Sequence, residues 1–184
     1  MLLPPAPRRH AHARFPKLVT ARGGPVNQEA KKTVLRRIVY GLYGLGVQGE
    51  GGAHAMTVNW VTQVSFEPPL LAVAVENESK SLPLLRAARA FALSIFPAGA
   101  RALAGKLGRS SANVPNKLEG VAHHPGPVTR APILDDATGW LECRLIAEHP
   151  TGDHVLMIAE VVEAGVSSDS ETLTLKETGF RYAG

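Results

Sequence analysis

The sequence predicts a mainly β protein, an antiparallel barrel with a few short flanking helices. Segments with strand character dominate, and hairpin-type turns join most of them. The clearest hairpin pairs residues 140–148 with 154–164 through a Pro-Thr-Gly-Asp turn at 150–153. At 184 residues, with 45% hydrophobic and 20% charged residues, the chain is long enough to bury one substantial core.

The charge distribution separates the start of the chain from the rest. The net charge of +4 arises largely from basic residues within the first 22 positions. We expect residues 1–24 to form a disordered basic extension, and residues 25–184 to form a single domain. The near-neutral remainder argues against a nucleic-acid partner. No signal peptide and no membrane-spanning apolar run are recognised, so a cytoplasmic location is expected.

The first half of the predicted domain alternates between strands and short helices. Residues 27–38 have an Asn cap and late basic residues, which predict a helix. Glycines in the strand at 40–47 suit close backbone approach. The turn at 49–52 leads into a return strand through 53–69, and 70–75 predicts a strand buried on both faces. A helix at 82–88 follows, with Ser81 as its expected cap.

The second half is less regular between its strands. We expect a strand at 91–96, a helix at 100–107, a polar loop at 108–117 and an irregular connection at 120–133. After the long hairpin, residues 173–184 predict a strand and an ordered tail.

Several familiar site patterns are weak in this sequence. The glycines of residues 41–46 do not match a dinucleotide fingerprint, and no helix follows them. His10/His12 and His123/His124 lack ligands at metal spacing, so no metal site is expected. There is no Gly-x-Ser-x-Gly elbow. Cys143 is the only cysteine, and its apolar surroundings favour a buried thiol.

Polar groups gather instead at strand ends. They are Thr57, Asn59, Thr62, Gln63 and Ser65, then Asn77, Ser79, Lys80 and Ser81, and finally Asp153 and His154. Hydroxyls, amides and a lysine beside a helix start are suited to an anionic phosphate. The residues alone leave a second interpretation open, in which these are turn-forming residues without a ligand.

A resemblance bears on that choice. Residues 56–70, MTVNWVTQVSFEPPL, resemble the signature of the flavin reductase-like, FMN-binding split-barrel family. Further segments follow in the family's order, including Ser79-Lys80-Ser81 and Gly152-Asp153-His154. The resemblance covers about residues 35–165, and the last residues are similar to those of flavoredoxin-related members.

The resemblance implies a six-stranded antiparallel split barrel with Greek-key connections, and a homodimer with FMN in a groove near the subunit contact. It implies that His154 lies beside the ring as the catalytic residue. Trp60 departs from the family, which has a small residue there. The implied cofactor-binding residues are Thr57, Val58, Asn59, Trp60, Gln63, Val64 and Ser65 at the ring and ribityl chain, and Ser79, Lys80 and Ser81 at the phosphate.

The function implied is an FMN-dependent flavin reductase that takes hydride from NADH or NADPH, with FAD as an alternative flavin and a monooxygenase as a potential electron-accepting partner. A second interpretation is an FMN-binding protein for electron transfer or flavin storage, without reductase turnover. A third is a split barrel that binds a deazaflavin, haem or pyridoxal phosphate.

Overall fold

The structure, a computed structural model, describes residues 26–182. The predicted basic extension and the His10/His12 pair lie outside the described residues. Within them, four helices and nine strands follow in the order α1 (Gln28–Leu35), β1 (Tyr43–Gly49), β2 (Gly52–Val58), β3 (Val61–Ser65), β4 (Leu70–Glu76), α2 (Ser81–Ala88), β5 (Ala90–Ile95), α3 (Arg101–Gly108), β6 (His123–Pro125), β7 (Pro132–Leu134), β8 (Gly139–Pro150), β9 (His154–Val166) and α4 (Leu175–Thr178).

The main sheet has seven antiparallel strands in the order β2-β1-β5-β8-β9-β4-β3. Its two end strands are neighbours in the chain, because only Asn59 and Trp60 separate β2 from β3. Val58 pairs with Tyr43 of β1, whereas Val61 pairs with Val73 of β4. Since β2 and β3 act as one interrupted strand, the sheet curls into the predicted antiparallel split barrel, with seven strands rather than the six expected. β6 and β7 form a separate two-stranded ladder.

The barrel encloses one principal hydrophobic cluster. Its buried members come from six strands of the main sheet and from α2, and include Leu45, Val73, Phe91 and Met157. Alternation of apolar side chains along the strands directs these residues to one side. The packed core holds the ends of the strands in place, so the side chains at those ends have fixed positions.

The glycines of β1 allow the close packing that their spacing predicts. A β-carbon on Gly46 would collide with the backbone oxygen of Pro132, and one on Gly44 would press against Leu134. Both contacts come from β7, which therefore lies against β1 at a distance that only glycine permits.

Several predicted elements are confirmed. β8 and β9 form the long hairpin, and β4 is buried along most of its length. The turn at 49–52 joins β1 to β2. Asn27 caps α1, where its side chain accepts a hydrogen bond from the backbone N–H of Ala30 at 3.0 Å.

Other expectations were wrong. Ser81 does not cap α2, because the cap position is Lys80 and the Ser81 backbone N–H donates to Ser79 Oγ at 3.2 Å. The final segment forms α4 rather than a strand. Thr174 and Glu177 make a reciprocal capping box there. The connection at 120–133 is also more regular than predicted, since it contains β6 and β7.

Candidate functional site

A large cavity of about 1220 Å³ lies beside the end of β2. Its wall is built from the end of β2, the end of β4, the turn before α2, helix α3 and the chain that follows it, and residues 180–182. Ligand cavities are typically about 300–1,000 Å³. The space is therefore ample for a nucleotide-sized ligand.

The cavity wall is strongly cationic. Six basic side chains contribute to it against two carboxylates, Glu76 and Glu78. Such an excess favours an anionic ligand, since anionic groups make charge-assisted hydrogen bonds to these side chains. The basic residues are Lys80, Arg101, Lys106, Arg109, Lys117 and Arg181.

The end of β2 supplies the mixed polar and apolar part of the wall. Thr57, Val58 and Asn59 all line the cavity. The Thr57 hydroxyl donates to the Ala104 carbonyl at 2.7 Å, which ties β2 to α3. Asn59 is only 7% exposed, and its amide donates to the Tyr182 carbonyl at 3.4 Å. An apolar strand edged by fixed polar groups is a suitable surface for a flat aromatic ring.

The side chains of the turn before α2 lie in two different environments, the cavity and the protein interior. Ser79 and Lys80 line the cavity. Ser81 is buried, and its hydroxyl lies 2.8 Å from His54 Nε2. The structure therefore brings Ser79 and Lys80 to the same cavity as Asn59, and it places the Ser81 side chain behind them.

The predicted catalytic residue, His154, is covered by an aromatic side chain. His154 is 7% exposed. Its ring centroid lies 4.7 Å from that of Trp60. The Tyr182 ring packs on Trp60 at 5.7 Å, and the Tyr182 hydroxyl lies 3.1 Å from His154 Nε2. Tyr182 lines the cavity, so it lies between His154 and the open space.

Four polar groups form a chain around that histidine. His154 Nδ1 donates to the Asp153 carboxylate at 2.7 Å, and the Tyr182 hydroxyl donates to Glu76 at 2.5 Å. The hydrogen bond from His154 lowers the pKa of Asp153. Burial, followed by the hydrogen bond to Glu76, raises the pKa of Tyr182. Tyr182 therefore keeps its proton at physiological pH and remains a hydrogen-bond donor.

The cavity wall does not include Gln63, Val64 or Ser65. They belong to β3, an edge strand whose surface is largely exposed. Val64 is 50% exposed and the following Phe66 is 87% exposed. The predicted site is thus divided between a cavity and an exposed apolar edge.

Sequence reasoning missed two prominent members of the site, Tyr182 and Lys117. Tyr182 follows a short helix far from β2 in the chain, and Lys117 follows a polar loop. Neither residue stands in a motif, so only the tertiary contacts identify them.

Residues 26–182 contain neither a metal-binding cluster nor a membrane-spanning helix. No group of three or more His, Cys, Asp or Glu side chains comes together there in a way that would hold a metal ion. No helix in this part of the chain has the length and apolar character needed to cross a membrane.

The antiparallel sheet and the cationic cavity beside its strand ends define the class of protein as a split barrel with a cavity suited to an anionic ligand. Comparison with protein families is more specific. Residues 35–184 match the model of the flavin reductase like domain. The chain belongs to this family, as its resemblance implied.

Similarity to individual proteins extends over most of the chain. The reductase component of 4-hydroxyphenylacetate 3-monooxygenase from Thermus thermophilus is 31% identical over 155 residues, covering 84% of this chain and 95% of that protein. An NADH-dependent flavin reductase from a Rhodococcus species is 30% identical over 156 residues, covering 78% of this chain and 82% of that protein.

A solved structure is similar in fold as well as sequence. The NADH:FAD oxidoreductase of Streptomyces globisporus C-1027 is 25% identical and superposes with a TM-score of 0.73, covering 85% of this chain and 95% of that one. The same oxidoreductase has been solved in complex with NAD and FAD fragments.

Proposed function

We propose that this protein is an NAD(P)H:flavin oxidoreductase, with residues 25–184 acting as one flavin-binding domain. The observation that carries the proposal is the cavity itself. One side offers Val58 and the fixed amide of Asn59, and another offers Lys80 beside a helix start. These are the two surfaces that a flavin nucleotide needs, for its ring and for its phosphate.

The residues present fit such a cofactor. We propose FMN, with FAD as the alternative that direct binding measurements would distinguish. Thr57, Val58 and Asn59 would hold the ring and ribityl chain, and Ser79 and Lys80 would hold the phosphate. The buried position of Asn59 fixes its amide in advance, which reduces the entropy lost on binding.

The chemistry requires little from protein side chains. A bound flavin supplies a hydride acceptor for a reduced nicotinamide nucleotide and passes the electrons on. The protein orients both partners, and reacting atoms must approach within about 3–3.5 Å. Because the flavin would supply the reactive group, the reaction requires no nucleophilic side chain from the protein.

Tyr182 has a gating role in this proposal. Its ring covers Trp60 and His154, the surface at which the resemblance places the flavin and the hydride donor. The hydride donor cannot approach that surface while the ring occupies it. The Tyr182 hydroxyl donates to Glu76 and lies 3.1 Å from His154 Nε2, and the Tyr182 carbonyl accepts from Asn59. These contacts hold the closed position. Tyr182 therefore withdraws when the nicotinamide nucleotide enters.

The exposed edge of β3 supports a homodimer. Val64, on the unpaired edge strand β3, and Phe66, in the turn that follows it, are large apolar side chains at 50% and 87% exposure. Such edges attract a partner strand or surface. We propose that a second copy covers them, which would bring Gln63 and Ser65 to the subunit contact beside the flavin.

The electrons would pass to a separate enzyme in the cytoplasm. The name of the Thermus relative, a reductase component of a monooxygenase, supports a monooxygenase as the acceptor. That relative is matched over nearly its whole length, which supports a similar two-component arrangement here.

A turnover assay tests the proposal. A small amount of purified protein, mixed with excess FMN and either NADH or NADPH, should accelerate loss of the nicotinamide absorbance in proportion to protein concentration. Protein that binds FMN without accelerating this loss would instead be a carrier or storage protein. Protein that binds no flavin at all would point to another barrel ligand.

A further inference from the structure

The most informative unassigned group in the cavity is Lys117. Its side chain lines the cavity, yet the residue is only 6% exposed. Its ammonium donates one hydrogen bond, to the Leu107 carbonyl at 2.9 Å. No carboxylate among residues 26–182 forms an ion pair with it.

This arrangement leaves the buried charge without a counter-ion. An ammonium carries three N–H donors, and the contact with Leu107 uses one. Burial of an unpaired charge is costly, and here burial lowers the pKa of Lys117. Leu107 lies near the end of α3, where a neutral donor would satisfy its carbonyl equally well. Capping of α3 therefore explains one N–H donor of Lys117, but it does not explain why the side chain carries a charge.

Lys117 and the turn that carries Lys80 are both close to His54. His54 connects the two, because its imidazole contacts the Ser81 hydroxyl and its pKa is lowered by burial and then by the charge of Lys117. Lys80 and His54 also share the lining of a smaller adjoining cavity of about 380 Å³. Lys80 and Lys117, for which no ion pair with a carboxylate is found among residues 26–182, thus both line the cavity.

We propose that Lys117 is a phosphate-binding residue, and that the cavity receives a nucleotide phosphate between Lys117 and Lys80. A phosphate monoester carries close to two negative charges at neutral pH, which two lysines would neutralise. This assignment rests on the proposed function for the identity of the nucleotide. The monoester would be the terminal phosphate of FMN or the 2′-phosphate of NADPH, which present the same chemistry, whereas NADH has only a pyrophosphate diester.

Binding of FMN and of riboflavin to Lys117→Gln tests the assignment. Glutamine retains an N–H for the Leu107 carbonyl and removes the charge. We expect the Kd for FMN to rise roughly ten- to hundredfold, and that for riboflavin, which has no phosphate, to change by less than about twofold. Lys176→Gln is the matched control, because Lys176 is exposed on α4 outside the cavity. It should leave both constants unchanged.

Steady-state kinetics distinguish the two possible sources of the phosphate. If the phosphate is the 2′-phosphate of NADPH, the KM for NADPH rises by a similar factor while the KM for NADH and the Kd for FMN stay constant. Lys117→Met repeats both measurements without any donor, and thermal unfolding of each variant confirms that the fold is intact. Folded variants with unchanged Kd for FMN and unchanged KM for NADPH would overturn the assignment.

The double variant Lys80→Ala/Lys117→Gln adds an independent measurement. Two residues that hold one phosphate should show non-additive losses of binding free energy. Because FMN binding is measured without a reductant, this inference and the reductase function fail separately. Wild-type protein that binds FMN and does not reduce it would contradict the function and leave the phosphate site standing.

Discussion

Replacement of Lys80 by Ala is the perturbation whose effect on flavin binding follows most directly from the structure. Lys80 lines the cavity next to the start of α2 and is exposed. Hydrogen bonds to charged groups contribute about 1.5–3 kcal/mol. An exposed lysine belongs at the lower end of that range, because water and salt screen its charge. About 1.5 kcal/mol corresponds to about a tenfold rise in the Kd for FMN.

Quenching of flavin fluorescence during titration measures this constant. Riboflavin should bind Lys80→Ala as it binds the wild type, because the loss is confined to the phosphate. Lys176→Ala, outside the cavity, should bind FMN normally. Added salt should weaken FMN binding to the wild type more than to Lys80→Ala. An unchanged Kd for FMN in folded Lys80→Ala would refute the placement of the phosphate at this turn.

Four further predictions concern other parts of the molecule. Asn59→Ala should weaken FMN and riboflavin alike, about fivefold for a hydrogen bond of about 1 kcal/mol; a loss specific to FMN would contradict its role at the ring. Tyr182→Ala should lower the KM for NADH in steady-state assays, because the gate is removed, and a raised KM would show that Tyr182 is part of the binding surface. Phe66→Asp should convert the dimer to a monomer, as measured by light scattering after size-exclusion chromatography. A wild-type protein that is already monomeric would contradict the proposed dimer. Burial, followed by the charge of Glu142, raises the pKa of the Cys143 thiol to about 12, so the thiol should resist a disulfide reagent at pH 8 until the protein unfolds; rapid labelling of the folded protein would disprove this.

The strands were predictable where local signals and tertiary packing agree. The turn at 150–153 is short and rich in turn-forming residues, and the flanking strands pair along most of their length. The glycines of β1 predict close packing against another part of the chain. The sequence does not show that Pro132 of β7 makes this contact, which depends on the tertiary fold. The break between β2 and β3 was not predicted, because a strand that changes partners keeps its strand-like sequence.

In the C-terminal segment, the alternation of apolar and polar residues predicts a strand where the chain forms a helix. Leu173 and Leu175 alternate with threonines, a spacing typical of a strand. Thr172 and Thr174 do form isolated bridges with other parts of the chain. The capping box of Thr174 and Glu177 then begins a helix. The signal for that box is present in the sequence, but the strand pattern overlaps it.

The candidate site was predictable only where residues stand in a motif. Asn59 and Lys80 belong to segments that resemble the family signature, and the fold places both on one cavity. Lys117 and Tyr182 come from a loop and a chain end, where burial and contacts depend on tertiary packing. Their roles therefore follow from geometry, and their positions in the sequence carry no local signal.

The central claim is that this barrel transfers hydride from a nicotinamide nucleotide to a bound flavin. Anaerobic mixing of the FMN-loaded protein with NADH, and separately with NADPH, tests it most directly. We predict that at least one nucleotide bleaches the flavin absorbance while its own absorbance falls in equal amount. Flavin absorbance that persists with both nucleotides at saturating concentration would contradict the claim.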